Sequence, residues 1–371
     1  VFLAAIPLLG YAVFARFLAN GFRKEISVDA ETPLSPISVI LPFRNEAKVL
    51  SSCTSAILDA LGSTDQLVMV DDSSTDESLT MARELAGKDA RVTVLQADGE
   101  GKKAALEVGI AAAQNDIIFT VDADVYPQSH WPAVMLQAFT EPDIHMVCGN
   151  VHIKQTESSI STLWEAIDFM SLVGSGRALT AQGWAVMCNG ANLAFRKSSF
   201  ERVGGYTKHK QIPSGDDVFL MHEMMHAFPG GVVPASDLAY GGVETLPQKG
   251  FYKLFQQRIR WAGKGVSYTD KHAIFVTWLI GGLSLITTIL GVLTIFWVDA
   301  LVSWLILWVG KAAIDTVLLS TYNRGYKRQI PLWAISIQAL LYPYYTTLIA
   351  VLAPFVKFSW KGRYLSRSAK E

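Results

Sequence analysis

Four clusters along this 371-residue chain carry side chains able to do chemistry: VDDSSTD at 70–76, VDADV at 121–125, SGDD at 214–217 and QRIRW at 257–261. Asp122 and Asp124, two carboxylates at i and i+2 beyond an apolar run, can lie beside one cation. Oxygen ligands suit Mg²⁺ or Mn²⁺. A cation held there neutralises a diphosphate leaving group. A further carboxylate, Asp217 or its neighbour Asp216, can take a proton from an attacking hydroxyl. Arg260 and Trp261, with Gln257 at helical spacing, add a charge and a flat face for stacking. The set suits displacement of a diphosphate from a bound substrate.

Each cluster also has a plainer reading. Asp71 and Asp72 end an apolar run before Ser-Ser-Thr-Asp, which also describes a turn and helix cap. Lys102 in GEGKKAAL stands at a helix start, where it either meets a phosphate or is solvated. It is not a phosphate loop of the Walker type, because Gln96 stands where the first Gly is required. Asp216 and Asp217 could serve only as an N-cap. Phe251, Phe255 and Trp261 could anchor an amphipathic helix at a membrane surface. A rival motif, HEMMH at 222–226, has the H-E-x-x-H spacing of a zinc metalloprotease, with Glu223 as its base. No third ligand is evident after it. It would leave the other acidic clusters without a use.

The elements that must position these residues alternate. ISVILPF at 37–43, QLVMV at 66–70, RVTVLQ at 91–96 and DIIFTVDAD at 116–124 read as strands. Residues 46–61, 77–87 and 101–113 read as helices between them. This rhythm predicts an α/β fold with a mostly parallel sheet covered by helices. Ligands on such sheets bind beyond the carboxyl ends of the strands, which puts Pro42, Asp71, Asp72, Asp122 and Asp124 on one rim.

Composition adds a membrane. Charged residues are only 18% and the mean hydropathy is +0.27. The apolar excess is concentrated. Residues 1–19 hold one charge, Arg16, and residues 273–298 hold none, long enough to span a bilayer. Residues 300–320, interrupted by Lys311 and Asp315, and 331–356, broken by Pro343 and Pro354, are further candidates. A cleaved signal peptide competes for 1–19, but a basic start and a cleavage site are lacking, and Arg23 and Lys24 follow. The sequence starts without Met, which leaves part of a first helix to lie upstream. The expected organisation is a transmembrane helix at 1–22, a cytoplasmic catalytic domain at 35–265 ending in an interfacial helix, membrane helices over 273–358 and a basic tail at 359–371. Arg23, Lys24 and the loop NRGYKRQ at 323–329 suit the cytoplasm. The basic tail does too, so 331–356 is expected to be a re-entrant or interfacial hairpin bent at Pro343. Lys311 and Asp315, one helical turn apart, are expected to face protein and not lipid. Three cysteines without C-x-x-C spacing fit reduced thiols. A net charge of −1 gives no field that argues for nucleic acid.

Taken together, LPFRNEA at 41–47, VDDSSTD at 70–76, GKKAAL at 101–106, DAD at 122–124, NGANLAFRKSSFERVGGY at 189–206, GDD at 215–217 and QRIRW resemble a family 2 glycosyltransferase. The resemblance is to the membrane-embedded type with the GT-A fold, as in ceramide glucosyltransferases and polysaccharide synthases. It implies an inverting transfer from a nucleotide-sugar donor, a UDP-sugar, to a membrane lipid acceptor at the cytoplasmic face of the inner membrane. A processive polysaccharide synthase is the alternative. By the same resemblance Pro42, Arg44, Glu46, Asp71 and Asp72 border the nucleotide. Lys102 and Asp122 approach the donor, and Asp124, with Asp122, holds Mg²⁺ or Mn²⁺. Asp217 is the base, beside Asp216, where many relatives have Glu. Gln257, Arg260 and Trp261 close over diphosphate and acceptor. The small number of spans leaves room for a small membrane partner subunit.

Overall fold

A computed structural model describes residues 2–25, 35–128, 130–154, 159–209, 215–238, 241–263, 265–353, 355, 359–360 and 363–364. The chain opens with α1 (Phe2–Arg23). Then β1 (Ile37–Phe43), α2 (Leu50–Ala60), β2 (Gln66–Asp71), α3 (Ser78–Ala86), β3 (Val92–Gln96), α4 (Lys102–Ala112) and β4 (Ile117–Thr120) alternate. Shorter elements follow: β5 (Val125–Pro127), α5 (Trp131–Leu136), β6 (Met146–Cys148), β7 (Asn150–Ile153), α6 (Ile160–Thr180), β8 (Leu193–Arg196), α7 (Lys197–Arg202), α8 (Asp216–Ala227), β9 (Val232–Pro234) and β10 (Gly242–Thr245). The last stretch is helical: α9 (Phe251–Ala262), α10 (Lys271–Leu293), α11 (Asp299–Gly325) and α12 (Leu332–Leu352).

Two compact units result. One gathers residues 25–154, 187–246 and 359–371, and the other gathers 1–24, 155–186 and 247–358. The first is built on a seven-stranded sheet of order β3-β2-β1-β4-β8-β6-β9. Strands β1 to β4 run parallel, and so do β6 and β9; β8 is antiparallel to both its neighbours. β1 has no polar-out alternation because it lies between β2 and β4, and all seven of its residues are buried. α2 buries Leu50, Cys53, Thr54 and Ile57, one helical stripe. A second sheet, β5-β10-β7, follows the turn after β4.

The second unit is helical. α6 and α9 lie within the 35–265 span expected to be one soluble domain, yet both pack with the apolar helices. Ser159 caps α6 by accepting the Thr162 N–H at 3.1 Å. α6 is buried nearly all round, Glu165, Asp168 and Arg177 included. Among the described residues, four helices are long and apolar enough to cross a membrane: Ala4–Arg23, Lys271–Leu293, Asp299–Gly325 and Leu332–Leu352. Lys311 and Asp315 are buried and paired at 2.5 Å, and Tyr11 of α1 donates its hydroxyl to Asp315. The hairpin expected at Pro343 does not form. α12 runs unbroken through it. A proline removes one helical hydrogen bond, and neighbouring helices can compensate that loss without the chain reversing. Pro354 and most of the basic tail lie outside the described residues.

Candidate active site

The rim of the parallel strands is built from backbone up. Phe43 pairs with Asp71 in the β1–β2 register, and the Asp72 N–H donates to the Phe43 carbonyl at 2.9 Å. Asp71 and Asp72 are each 1% exposed. Such burial requires hydrogen bonds. Asp71 accepts the Ser74 N–H at 3.0 Å, which closes the turn, and Asp72 accepts the Gly101 N–H at 2.9 Å. Gly101 has φ +98°, a conformation that favours glycine, and it launches α4 at Lys102. Asp72 therefore fixes where Lys102 starts. Arg44 Nη1 donates to the carbonyls of Asp72 (2.6 Å) and Ser73 (2.7 Å), bracing the same turn. The Glu46 N–H donates to Ser78 Oγ at 2.8 Å, tying the loop before α2 to α3. Pro42 is buried inside β1 opposite Val70.

Lys102 gathers the acidic clusters. β4 ends at Thr120, two residues short of the acidic pair, so Asp122 and Asp124 stand in the following turn. Lys102 Nζ lies 2.7 Å from Asp122 Oδ1 and 3.3 Å from Asp216 Oδ2. Burial acts to lower the Lys102 pKa, but the carboxylates of Asp122 and Asp216 outweigh it and hold the ammonium above the usual lysine value. Asp217, beside Asp216 at the start of α8, accepts the Gly190 N–H at 3.0 Å on Oδ2 and the Val218 N–H at 2.8 Å on Oδ1. Gly190 is the close approach that makes this assembly fit. A Cβ there would stand 3.2 Å from Asp216 Oδ2 and 3.3 Å from Lys102 Nζ.

Two supports went unnoticed in the sequence. Asn192 accepts the Trp131 indole N–H at 2.8 Å and donates to the carbonyls of Asn150 (2.8 Å) and Gly241 (3.1 Å). It holds the NGAN segment against both sheets. The run NGANL carried the signal, since a Gly between two Asn close to an acidic pair points to a tight backbone approach. Cys53 of α2 is fully buried, with Sγ 3.8 Å from the Asp122 carbonyl. Burial pushes its thiol up to about 12, so the group under the acidic turn is neutral.

HEMMH lies on α8. His222 is buried and His226 exposed. Glu223 pairs with Lys208 and lies 3.3 Å from His209 Nε2. Burial alone would raise the Glu223 pKa, but hydrogen bonds from Lys208 and His209 bring it below the usual value. Among the described residues no group of three or more His, Cys, Asp or Glu is disposed to hold a metal.

In the helical unit, QRIRW lies on the last turns of α9. Arg258, not Arg260, is the buried cation, at 5% exposure. Its Nε donates to Asp168 Oδ2 of α6 at 2.6 Å and its Nη1 to Gln257 Oε1 at 2.5 Å. Its guanidinium lies over the Trp261 ring, 4.3 Å from the centroid. Arg260 and Trp261 are half-buried. Trp261 is thus packed under Arg258, and Phe255 packs edge-on to Tyr345 of α12, so neither is a free anchor.

The Glycosyl transferase family 2 profile matches residues 38–204. Those residues are a family 2 glycosyltransferase domain. Two curated relatives agree. Poly-beta-1,6-N-acetyl-D-glucosamine synthase of Staphylococcus aureus (strain COL) is 24% identical over 55% of this chain and 50% of its own length. Glycosyltransferase GlyG of Streptococcus pneumoniae serotype 4 is 32% identical over 31% of this chain and 39% of its own. The chain spans about half the length, or less, of these two relatives. A solved structure, the mannosyltransferase PcManGT from Pyrobaculum calidifontis in complex with GDP-Man and Mn²⁺, is 18% identical with a TM-score of 0.57, over 90% of this chain and 94% of that one. The fold is the GT-A fold, and residues 38–204 carry the family 2 match within it.

The donor set of this turn fits a divalent cation that arrives with a phosphate-bearing ligand. Mg²⁺ usually binds through one or two carboxylates plus substrate phosphates. Asp122 and Asp124 offer two carboxylates on one turn, and Lys102 already holds Asp122 in place.

Proposed function

We propose that this glycosyltransferase moves one sugar from a nucleotide-sugar donor to a membrane lipid, at the cytoplasmic face, with inversion at the anomeric carbon. The observation that carries this reading is the convergence at Lys102. One ammonium joins the turn after β4 to the start of α8, and so brings the diphosphate-side carboxylates beside a candidate base. The acidic rim at Pro42, Arg44, Glu46, Asp71 and Asp72 borders the nucleotide. Asp124, helped by Asp122, holds Mg²⁺ or Mn²⁺, which when bound supplies positive charge against the departing diphosphate. Asp217 takes the proton of the attacking hydroxyl, and the Gly190 N–H fixes which way that carboxylate faces. Lys102 adds a second positive charge beside the phosphates. Gln257, Arg260 and Trp261 act on diphosphate and acceptor, where an Arg fork suits phosphate oxygens better than Lys does.

Four membrane-length helices and the exposed apolar side chains on them favour a lipid acceptor in an inner membrane, with a small partner subunit as an option. The likeness to a polysaccharide synthase favours a second reading, a processive enzyme that extends a polymer. One experiment separates the two. Purified protein is given UDP- and GDP-sugars with membrane lipid extract, and products are read by mass spectrometry. A lipid carrying a single sugar supports the first reading, and a ladder of sugars supports the second. Asp124→Asn should lose turnover and bind donor more weakly, a cost of several kcal/mol in leaving-group stabilisation. Full activity of that variant, or of the wild type in chelator, would remove the metal from the scheme.

A further inference from the structure

Arg258 sits in the QRIRW segment without a role of its own in the scheme above. It is the buried cation of that segment, at 5%, and its partner Asp168 is 2% exposed. Taking two charges out of water costs several kcal/mol each, and such a pair gives little net stability over apolar packing. Stability is therefore a weak reason for an ion pair at this place. Its geometry supplies a better one. Arg258 uses one edge, Nε, on Asp168 and a second, Nη1, on the Gln257 carboxamide, and lays its plane over the Trp261 ring. Asp168 also accepts the Tyr345 hydroxyl at 3.4 Å, so one carboxylate oxygen joins α6, α9 and α12. Phe169, the next residue of α6, closes on Trp261 at 5.9 Å between ring centroids. Ile259, Tyr345, Ile349 and Ala353 form a small apolar core around this junction.

We propose that Arg258 and Asp168 are positioning residues that hold Gln257 and Trp261 in their working orientation, so that α6 and α12 set the geometry of the transfer step through one buried guanidinium. The proposal rests on the reading that Gln257 and Trp261 act in turnover. A guanidinium can reach a carboxylate and a carboxamide while stacking on an indole; an ammonium cannot do all three.

The test is steady-state kinetics on detergent-purified full-length protein. Arg258→Lys keeps the charge opposite Asp168 but gives up Gln257 and the stack. It should lower kcat about 10- to 100-fold, the range expected for a displacement near 1 Å, and leave the donor KM within about threefold. Asp168→Asn should do the same, and Asp168→Glu should restore part of the rate. Glu165→Gln, at an equally buried carboxyl on α6 that accepts the Gln248 N–H at 2.8 Å and makes no hydrogen bond to Gln257 or Trp261 among those described, should stay within about twofold of wild type. Where charge removal prevents folding, the double variant Asp168→Leu with Arg258→Met replaces the pair by apolar packing of similar volume, and it should fold yet turn over slowly. Wild-type kcat in that double variant, or in Arg258→Lys, with Trp261→Ala inactive, overturns the proposal and leaves the function reading intact. Wild-type turnover in both Gln257→Ala and Trp261→Ala instead removes the reading beneath it.

Discussion

At the scale of single residues, two carboxyl groups on α8 compete for the role of base, and their surroundings separate them. Asp217 accepts the Gly190 N–H and adjoins Asp216, the partner of Lys102, while Glu223 is already held by Lys208 and His209. Asp217→Asn should lower turnover by roughly 10²- to 10⁴-fold with donor binding kept. Glu223→Gln should cost little activity. An inactive Glu223→Gln protein that carries zinc, beside an active Asp217→Asn, would hand the chemistry to HEMMH. Because its pKa is lowered in the folded state, Glu223 contributes stability above the ordinary Glu range and loses it as pH falls through its depressed value. Cys53 gives a second residue-scale outcome. With its thiol pushed up to about 12, the thiolate fraction at pH 8 is on the order of 10⁻⁴. Iodoacetamide should spare Cys53 in the native protein and label it in denaturant, read by peptide mass spectrometry. Native labelling as fast as that of the half-buried Cys188 would mean that the acidic turn is open beneath.

At the scale of elements, α11 carries a charge pair where an apolar helix should have none. Lys311→Met leaves Asp315 without its cation, a loss of roughly 3–5 kcal/mol for a broken buried pair. Lys311→Leu with Asp315→Leu should recover much of that. Thermal unfolding in detergent measures both, and a single variant as stable as wild type would show that the pair is solvated. That these residues share a face could be seen in their i, i+4 spacing; that Tyr11 joins them could not. The same limit runs through the fold. β1 to β4 and the helices between them were readable because long buried strands and amphipathic helices leave periodic patterns. β5 to β10 have three or four residues each and, unlike the equally short β4, do not follow a regular strand–helix alternation. α6 was invisible for the opposite reason. Burial on nearly every side leaves no polar face, and its Glu, Asp and Arg look like a soluble helix. The candidate site was legible where its residues stand in short contiguous motifs, as the acids that meet Lys102 do. Arg258 and Arg260 look alike in QRIRW, and only Asp168, 90 residues earlier, distinguishes them.

At the scale of the whole molecule, the helical unit presents Trp278 (75% exposed), Ile295, Phe296 and Val298 outward. A soluble monomer rarely shows so many large apolar side chains on one helical unit. The protein should stay in the membrane pellet through an alkaline carbonate wash and leave it only in detergent; recovery in the soluble fraction would contradict that. The same unit is assembled from three separated stretches of chain. Tyr11 and its acceptor Asp315 are 304 residues apart. At about 5–20 residues per second, a ribosome delivers the second roughly 15–60 s after the first. In the membrane-embedded enzyme proposed above, α1 must wait in the bilayer through that interval with its tyrosine uncommitted. Lys311 and Asp315, by contrast, emerge within one helical turn and neutralise each other at once. On that reading the order of synthesis spares the bilayer a lone charge and makes the closing of α1 on α11 a late event in the birth of the protein.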